Sequence, residues 1–297
     1  MQTANILSVD VEDWFHILEL ETSPDISVWD SLESRVCQNT EALLDLFDST
    51  GAKATFFFLG WTAQRHPALV RSVHARGHEV ACHGYGHQLI YTQTPDQFFT
   101  DISKAKSIIE DVIGQPILGY RAPGFSIIAR TPWAFDQIAR AGFSYDSSVF
   151  PSSRGHGGIS SARMEPHILN TAYGALWELP VSVTQLLGKR LCFFGGGYLR
   201  LFPYFLIRRM AQKVNRQGRP VIYYVHPREI DPDHPRIRMG LWRYFKSYVG
   251  LATTRIKIEK ILHENRLITL REELAILKSR GFGKPTPFAL REIADAR

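Results

Sequence analysis

The sequence has no apolar run long enough to cross a bilayer, and it has little cysteine. Its longest apolar stretch, around residues 54–61, has the length of a β-strand, whereas a membrane-spanning helix needs about 20 apolar residues. The cysteines Cys37, Cys82 and Cys192 are odd in number and far apart, which favours buried free thiols in a reducing compartment. The amino terminus has no basic segment and meets acidic residues at once, so a secretory signal is not expected. These absences predict a cytoplasmic protein.

Charge is divided unevenly along the chain. Residues 1–188 carry 12 Lys and Arg against 20 Asp and Glu, a net charge of −8, and residues 189–297 carry 23 against 9, a net charge of +14. A basic third of this kind is typical either of a solvated face or of contact with an anionic glycan or a membrane surface. No nucleic-acid-binding motif is present, so nucleic acid is not an expected partner. Peripheral contact with the inner membrane is one expectation, and the oligomeric state is unknown.

Short apolar segments alternate with amphipathic ones. Residues 5–9 are typical of a buried strand, and residues 53–59 form a short apolar run, as expected of a strand covered on both faces. Residues 67–77 begin at Pro and end at Gly, as helices do. Residues 147–175 are rich in Ser and Gly and predict a long loop, and a last helix is predicted after Arg271. Repeated strand–helix units predict a parallel sheet, either open or closed into a barrel.

Five reactive side chains each stand just after a predicted strand: Asp10, His83, Arg121, Asp146 and His226. In a (β/α) barrel the carboxyl ends of the strands converge on one rim, where active sites are built. In an open sheet the same residues would be spread over a longer line. This placement favours the barrel.

Two of the histidines have the spacing of metal ligands. His83 and His87 lie four residues apart, which lets both imidazoles reach one ion from a helix or a tight loop. A catalytic site needs a third ligand, and Asp10, Glu12 and Asp13 offer it. One carboxylate can bind metal while another acts as general base, and a third can cap the following turn. Zn²⁺ is expected first, and the same ligands suit Co²⁺ and other divalent ions.

The ordered motifs resemble the polysaccharide deacetylases with NodB homology, carbohydrate esterase family four. The resemblance rests on Asp10, His83-x-x-x-His87, Arg121-x-Pro123, Asp146 and Val225-His226, with the flanking phrases Lys53-Ala54-Thr55-Phe56-Phe57 and Arg76-Gly77-His78-Glu79-Val80. Residues 10–16, residues 195–198 and the tail after His226-Pro227 are similar, more narrowly, to the exosortase-associated exopolysaccharide deacetylases, which carry a C-terminal extension.

The resemblance implies a distorted (β/α)₇ barrel. Residues 1–230 would form the catalytic barrel, and residues 231–297 a basic C-terminal extension packed on the same domain. The implied reaction is metal-dependent hydrolysis that removes N-acetyl groups from N-acetylhexosamine units of a bacterial exopolysaccharide or its precursor.

Roles at the site follow from the same resemblance. Asp10 would be the general base and Arg121 the residue that orients it. His226 would be the general acid, with Asp146 fixing its tautomer. A backbone N–H near Tyr145 or Asp146 would hold the oxyanion.

Two positions depart from the family pattern. The family has adjacent aspartates, whereas Val11 follows Asp10 here. The metal ligand is therefore either Glu12 or Asp13, and a branch with one intervening residue favours Glu12. Gly84 stands where a Ser or Thr is usual, which removes a hydroxyl beside the ligands and would alter metal affinity.

Aromatic residues near the motifs are candidates for substrate binding, because sugar rings pack on aromatic faces. Trp14 and Phe125 adjoin motif residues, and Tyr145 precedes Asp146. Two rival functions stay open. One is a metal-independent C–N hydrolase of the allantoinase-like branch, and the other is a non-catalytic glycan-binding component of polysaccharide assembly.

Overall fold

The computed structural model describes residues 3–18, 20, 22–153, 157–186 and 188–281. In chain order the strands are β1 Asn5–Val11, β2 Thr55–Phe58, β3 Glu79–Cys82, β4 Gly119–Tyr120, β5 Tyr145–Asp146, β6 His167–Thr171, β7 Gly174–Glu178, β8 Thr184–Leu186, β9 Lys189–Leu191, β10 Ile222–Val225 and β11 Leu267–Ile268. The helices are α1 Val36–Asp48, α2 Gly60–Arg65, α3 Pro67–Ala75, α4 Pro95–Ile113, α5 Trp133–Arg140, α6 Gly196–Leu201, α7 Tyr204–Arg216, α8 Leu241–Tyr248, α9 Leu251–Glu264 and α10 Leu270–Ser279.

One curled sheet organises the fold. Its strand order is β10-β1-β2-β3-β4-β5-β7-β6, and β11 also pairs with β1. All of these neighbours are parallel except β6 and β7, which are antiparallel. The sheet is open between β7 and β10, where Ser182 accepts the Ile222 N–H and Phe194 accepts the Tyr224 N–H. This is the distorted barrel that the sequence predicts.

The period of two along each strand sorts side chains between the outside and the inside of the sheet. On β1, Leu7 and Val9 belong to the core cluster that packs against the helices, and Ile6 belongs to the cluster inside the barrel. On β2, Phe56 likewise packs outward and Phe57 inward. The strand pattern is therefore apolar on both faces, as expected for a parallel sheet covered by helices.

The C-terminal segment closes the end of the barrel that holds the strands' amino ends. Leu270, Leu274 and Leu277 of α10 belong to the inner cluster. At the start of α10, the Leu270 N–H donates to Thr55 Oγ1 at 2.9 Å and the Arg271 N–H donates to Glu79 Oε2 at 2.9 Å. Residues 231–281 therefore share a core with the barrel. The domain boundary at residues 230/231 stays a prediction, and residues 282–297 lie outside the described residues.

Several elements differ from the sequence-based expectations. The stretch 147–175 contains strand β6, which folds back antiparallel to β7, so the prediction of one long loop is wrong there. The helices α2, α6 and α8 and the hairpin of β8 and β9 are additional elements. These helices have six to eight residues, too few for hydrophobic periodicity to stand out in a sequence window. In the described ranges, every helix falls short of the length and apolarity that crossing a membrane requires.

A glycine-to-alanine pair tests the packing inside the barrel. A Cβ on Gly119 would lie 2.1 Å from Tyr145 Cζ, whereas one on Gly240 has no atom within 4 Å. We expect Gly119→Ala to lower the free energy of unfolding by about 1–3 kcal/mol, because overpacking displaces the buried ring. Gly240→Ala is the matched control and should stay within about 0.5 kcal/mol of the parent protein. Urea denaturation measures both, and equal stabilities would contradict this packing.

Candidate active site

The carboxyl end of β1 places two acids on one face. Because side chains alternate along an extended strand, Asp10 and Glu12 point the same way, into the mouth of the barrel. Both are buried, at 2% and 7% exposure. The intervening Val11 packs in the outer core. A single residue between the two acids is therefore what an extended strand needs to bring both into one site.

The third acid, Asp13, points elsewhere. Its carboxylate accepts the backbone N–H groups of Arg35 and Val36, at 3.0 and 3.2 Å, and the hydroxyl of Ser34. These are unpaired N–H groups at the amino end of α1, so Asp13 caps that helix from outside. The structure thus brings Glu12, and not Asp13, to the histidines.

The histidine pair lies on a tight loop after β3. Gly84 has a φ of +77° and His87 a φ of +53°, so the chain turns sharply between the two ligand positions. Asp101 of α4 holds this loop by accepting the N–H groups of Tyr85 and Gly86, at 2.8 and 3.2 Å. Glycine is required at position 84 for two reasons. Its φ lies in the left-handed region, and a Cβ there would be 2.9 Å from Asp101 Oδ2.

Three side chains fit a divalent metal ion. Glu12 Oε1 lies 3.1 Å from His83 Nε2 and 2.9 Å from His87 Nε2, and all three ligand atoms lie within 4.8 Å of one another. His83 Nδ1 is 2.8 Å from the carbonyl of Arg121. A carbonyl only accepts, so Nδ1 carries a proton, and Nε2 is the ring nitrogen that faces the carboxylate.

The second histidine supports the same conclusion. His87 Nε2 is buried and has no hydrogen-bond partner among the described residues, although Glu12 is within reach. The close approach of this carboxylate to both Nε2 atoms requires a cation between them, either a proton on the imidazole or a metal ion. Two imidazoles and one carboxylate also leave coordination positions open, as catalytic metal sites do.

A buried arginine orients Asp10. Arg121 is fully buried, and its Nη1 donates to Asp10 Oδ1 at 2.7 Å and to Ser8 Oγ at 2.8 Å. Its remaining donors reach the carbonyl and hydroxyl of Ser147. The guanidinium carbon lies 4.2 Å from the centroid of the Phe57 ring. These contacts fix one oxygen of Asp10 and leave the other directed at the site.

His226 stands across the site from Asp10. Its Nε2 lies 3.9 Å from Asp10 Oδ2 and 3.8 Å from Glu12 Oε1, and its Nδ1 lies 3.4 Å from Glu229 Oε2. Glu229 is fully buried and ion-paired with Arg200. It also accepts the His226 N–H at 3.0 Å. The carboxylate beside His226 Nδ1 is therefore Glu229, three residues further along the chain, and not that of Asp146, the predicted partner.

Electrostatics set opposite protonation states at the site. Burial alone would raise the pKa of Glu12, but the charges of His87 and His226 and a hydrogen bond from His83 hold it well below its usual value. Burial lowers the pKa of His226, but the charges of Glu12 and Glu229 outweigh it and leave the pKa raised. Glu12 is thus an ionised carboxylate, and His226 favours its protonated form.

Two predicted site residues, Asp146 and Tyr145, lie apart from this cluster. The Asp146 carboxylate accepts the Ser148 N–H at 3.2 Å, and burial raises its pKa, as it does that of the adjacent Glu178. The Tyr145 hydroxyl donates to Glu79 at 2.9 Å, and its N–H donates to the carbonyl of Leu118. Because that N–H is engaged, it is not available to an oxyanion.

The aromatic candidates divide. Trp14 is buried in a separate aromatic cluster and donates its indole N–H to the carbonyl of Glu33 at 2.8 Å. Phe125 lines the cavity at the site.

Sequence reasoning missed His16. Its Nδ1 accepts the Asp13 N–H, and its Nε2 is buried and has no hydrogen-bond partner among the described residues. It lies three residues beyond the acids, a spacing that carries no recognised metal signal.

A cavity of about 430 Å³ opens above these groups. Asp10, Glu12 and His226 line its floor, and residues of α6 and α8 line its far wall. Its volume is within the range of about 300–1,000 Å³ usual for small-ligand pockets. The arrangement can place a carboxylate base, an imidazole acid and a metal ion around one bound group.

Two family profiles match the sequence. The profile described as polysaccharide deacetylase matches residues 25–144, and the one described as Domain of unknown function (DUF3473) matches residues 147–275. Residues 25–144 of the chain are thus similar to the polysaccharide deacetylase family. His83, His87 and Arg121 lie inside the deacetylase profile, His226 lies inside the second one, and the acids of β1 precede both.

Curated relatives share part of this deacetylase sequence. A peptidoglycan-N-acetylglucosamine deacetylase of Bacillus cereus is 35% identical over 85 residues, which is 29% of this chain and 39% of the relative. A peptidoglycan deacetylase of Helicobacter pylori is 30% identical over 112 residues, 36% of each chain. The chain thus spans about two fifths of the length of the curated relatives that it matches.

A solved structure shares the deacetylase fold. A crystal structure of a candidate polysaccharide deacetylase from Mycobacterium smegmatis superposes with a TM-score of 0.62 at 22% identity, covering 96% of this chain and 93% of that one. At this level of identity the likeness concerns the fold.

Two single substitutions separate the roles of the neighbouring acids Glu12 and Asp13. We expect Glu12→Ala to weaken zinc binding by about a hundredfold or more, because it removes a ligand. Asp13→Ala should keep the metal but lower the free energy of unfolding by about 1–3 kcal/mol, because buried N–H groups of α1 lose their acceptor. Zinc titration and urea denaturation measure the two effects. Loss of metal in Asp13→Ala with stability unchanged would reverse the assignment.

Proposed function

We propose that this protein is a metal-dependent hydrolase that removes N-acetyl groups from N-acetylhexosamine units of a bacterial exopolysaccharide or its precursor. The observation that carries the proposal is the position of Glu12 Oε1 between the Nε2 atoms of His83 and His87, with Asp10 and His226 beside it. The names of the curated relatives support the reaction class. The narrower sequence resemblance supports an exopolysaccharide over peptidoglycan.

Asp10 and His226 divide the proton transfers. Asp10, held through one oxygen by Arg121, uses the other to take a proton from the attacking water as its oxygen bonds to the acetyl carbon. His226, whose pKa the charges of Glu12 and Glu229 raise, gives its Nε2 proton to the amide nitrogen as the C–N bond breaks. The products are acetate and a free amino sugar.

Glu12, His83 and His87 are the residues that would hold the metal. A divalent ion bound there would supply Lewis acidity to the acetyl carbonyl and to water. Imidazole and carboxylate ligands suit Zn²⁺ first and also Co²⁺. The carbonyl of Arg121 fixes the ring of His83, so the residue that orients the base also orients a ligand.

Acetate release from N-acetylglucosamine oligomers tests the reaction. We expect release to stop with a chelator and to fall by about a hundredfold to ten-thousandfold in Asp10→Asn, which removes the base. Asp111→Asn, at an exposed position of α4, is the control and should match the parent enzyme. Full activity in the double variant Asp10→Asn with His226→Ala would contradict the assigned roles.

The same assay separates the rival functions. Acetate release from a protein free of bound metal would favour a metal-independent C–N hydrolase. No release from any acetylated sugar, with sugar binding retained, would favour a glycan-binding component of polysaccharide assembly.

We also infer a peripheral contact between α8 and an anionic membrane surface, which would bring the enzyme to membrane-linked precursors at the inner membrane. Leu241, Trp242 and Phe245 are exposed at 90%, 69% and 45%. They share the helix with the cations Arg243 and Lys246. An exposed apolar strip flanked by cations is typical of interfacial helices.

Vesicle sedimentation tests this contact. We expect the protein to bind phosphatidylcholine vesicles that contain phosphatidylglycerol, and to bind weakly without it. The double variant Trp242→Ser with Phe245→Ser should lose most of this binding, because it removes the apolar area that would be buried in the membrane. Ile256→Ser, at an exposed apolar position of α9, is the control. Equal binding by all three proteins would overturn the inference.

A further inference from the structure

One wall of the active-site cavity is basic. The acids Asp10 and Glu12 and His226 line the cavity together with four cations from the C-terminal third: Arg200, Arg228, Arg243 and Lys246. These charged side chains differ in whether they already have hydrogen bonds or ion pairs within the protein. The comparison identifies one cation with a buried N–H donor that has neither among the described residues.

The acids have partners within the protein. Asp10 is paired with Arg121 and Glu229 with Arg200. Glu12 faces the two metal-binding histidines. None of these carboxylates forms an ion pair with Arg228, Arg243 or Lys246 among the described residues, although Glu229 and Glu12 lie near enough to act on Arg228 through their charge.

Two of the cations are also committed. The second guanidinium nitrogen of Arg200 donates to the carbonyl of Lys246 at 2.9 Å, which fixes α6 against α8. Arg243 donates to the carbonyl of Leu18 at 2.6 Å. Both arginines are therefore engaged in hydrogen bonds that hold the wall of the cavity in place.

Arg228 is different. Its side chain lines the cavity, and its Nη1 is buried without a hydrogen-bond partner among the described residues. No described carboxylate lies within 4 Å of its guanidinium nitrogens, unlike the situation at Arg200. Burial and the charge of Arg200 lower its pKa, against the opposing charges of Glu229 and Glu12. Although the side chain is partly exposed, its Nη1 is a buried donor without an acceptor, so a bound ligand that supplies an acceptor is stabilised there.

The chemistry of the acceptor follows from the guanidinium. Arginine presents parallel N–H donors that match the paired oxygens of a carboxylate or a phosphate. Lys246 adds a second positive charge at the exposed rim of the wall. Phe125, Tyr198 and Tyr224 line the space between this wall and the metal ligands and offer ring faces to a sugar.

We propose that the cavity recognises an acetylated sugar unit that carries an oxyanion, either the carboxylate of a uronate or the phosphate of a sugar pyrophosphate, and that Arg228 binds that oxyanion. The proposal rests on the proposed deacetylase function, and it specifies the substrate class. The oxyanion holds the sugar so that its acetamido group lies over Asp10 and His226. Arg228 is thus a specificity-determining residue for the reaction at this site.

Three substrates compared with three variants test the proposal. The substrates are a neutral N-acetylglucosamine tetramer, a tetrasaccharide that alternates N-acetylglucosamine with glucuronate, and N-acetylglucosamine linked through a pyrophosphate. We expect kcat/KM to favour one of the anionic substrates over the neutral one by about tenfold or more. The favoured substrate identifies the carboxylate or the phosphate as the natural oxyanion.

In Arg228→Met this preference should collapse about tenfold or more, chiefly through a higher KM for the anionic substrate. Arg228→Lys keeps the positive charge but loses the parallel N–H donors of the guanidinium. Its preference for the anionic substrate should therefore lie between those of the parent protein and Arg228→Met. Arg255→Met, at an exposed position of α9 paired with Glu259, is the control for net charge and should keep the preference. Equal losses on all three substrates in Arg228→Met would overturn the proposal.

Calorimetry with glucuronate and with inorganic pyrophosphate gives a readout that needs no turnover. Binding that weakens about tenfold or more in Arg228→Met, but not in Arg255→Met, would support the subsite even if no acetate were released. In that case the deacetylase function would fail and the oxyanion site would stand. Binding that is the same in both variants would overturn the site, provided that thermal unfolding shows both to be folded.

Discussion

A single buried cation organises the mouth of the barrel. Arg121 is fully enclosed, and a charge in that position destabilises the fold by several kcal/mol unless it is paired. Its partners are Asp10 and Ser8 of β1 and Ser147 after β5. Its own carbonyl also orients His83. One residue therefore fixes both Asp10 and the ring of His83, and removing it would leave Asp10 buried without its hydrogen-bond donor.

The alternation of β1 is the second constraint. An extended strand directs residues 10 and 12 to one face and residue 13 to the other. Glu12 therefore reaches the histidines, while Asp13 is free to cap α1. A pattern of adjacent acids would need the chain to leave the extended conformation one residue earlier. The longer side chain of Glu12 and the insertion of Val11 therefore act together to bring a carboxylate to the histidines.

Strand-end positions were predictable because they depend on short-range patterns. The runs that precede His83 and His226 are apolar and bounded by Gly or Pro, so both residues could be placed at one rim from the sequence. The choice between Glu12 and Asp13 was not predictable in this way, because it depends on where β1 ends. That point is set by pairing with β2, up to Val11 and Phe58.

The neighbours of His226 also needed the fold. Glu229 lies three residues beyond His226 on a short 3-10 turn, and it becomes a partner only because that turn and Arg200 of α6 bring the carboxylate under the ring. Asp146, which the resemblance suggested, is held by Ser148 instead. The basic wall of the cavity is built by α6 and α8, helices too short for their periodicity to be recognised in the sequence. Long-range contacts of this kind are not encoded in any local window.

The pairing of β11 with β1 has a consequence for how the protein is made. Asn5 pairs with Leu267 and Ile6 with Ile268, so β1 can receive this neighbour only after the long stretch of chain between them has been synthesised. Contacts between such distant residues form slowly because a long loop must close first. Until β11 and α10 are in place, the apolar inner face of β1 at its amino end is uncovered. Exposed apolar strands of this kind favour aggregation, so the C-terminal segment protects the barrel as well as closing it.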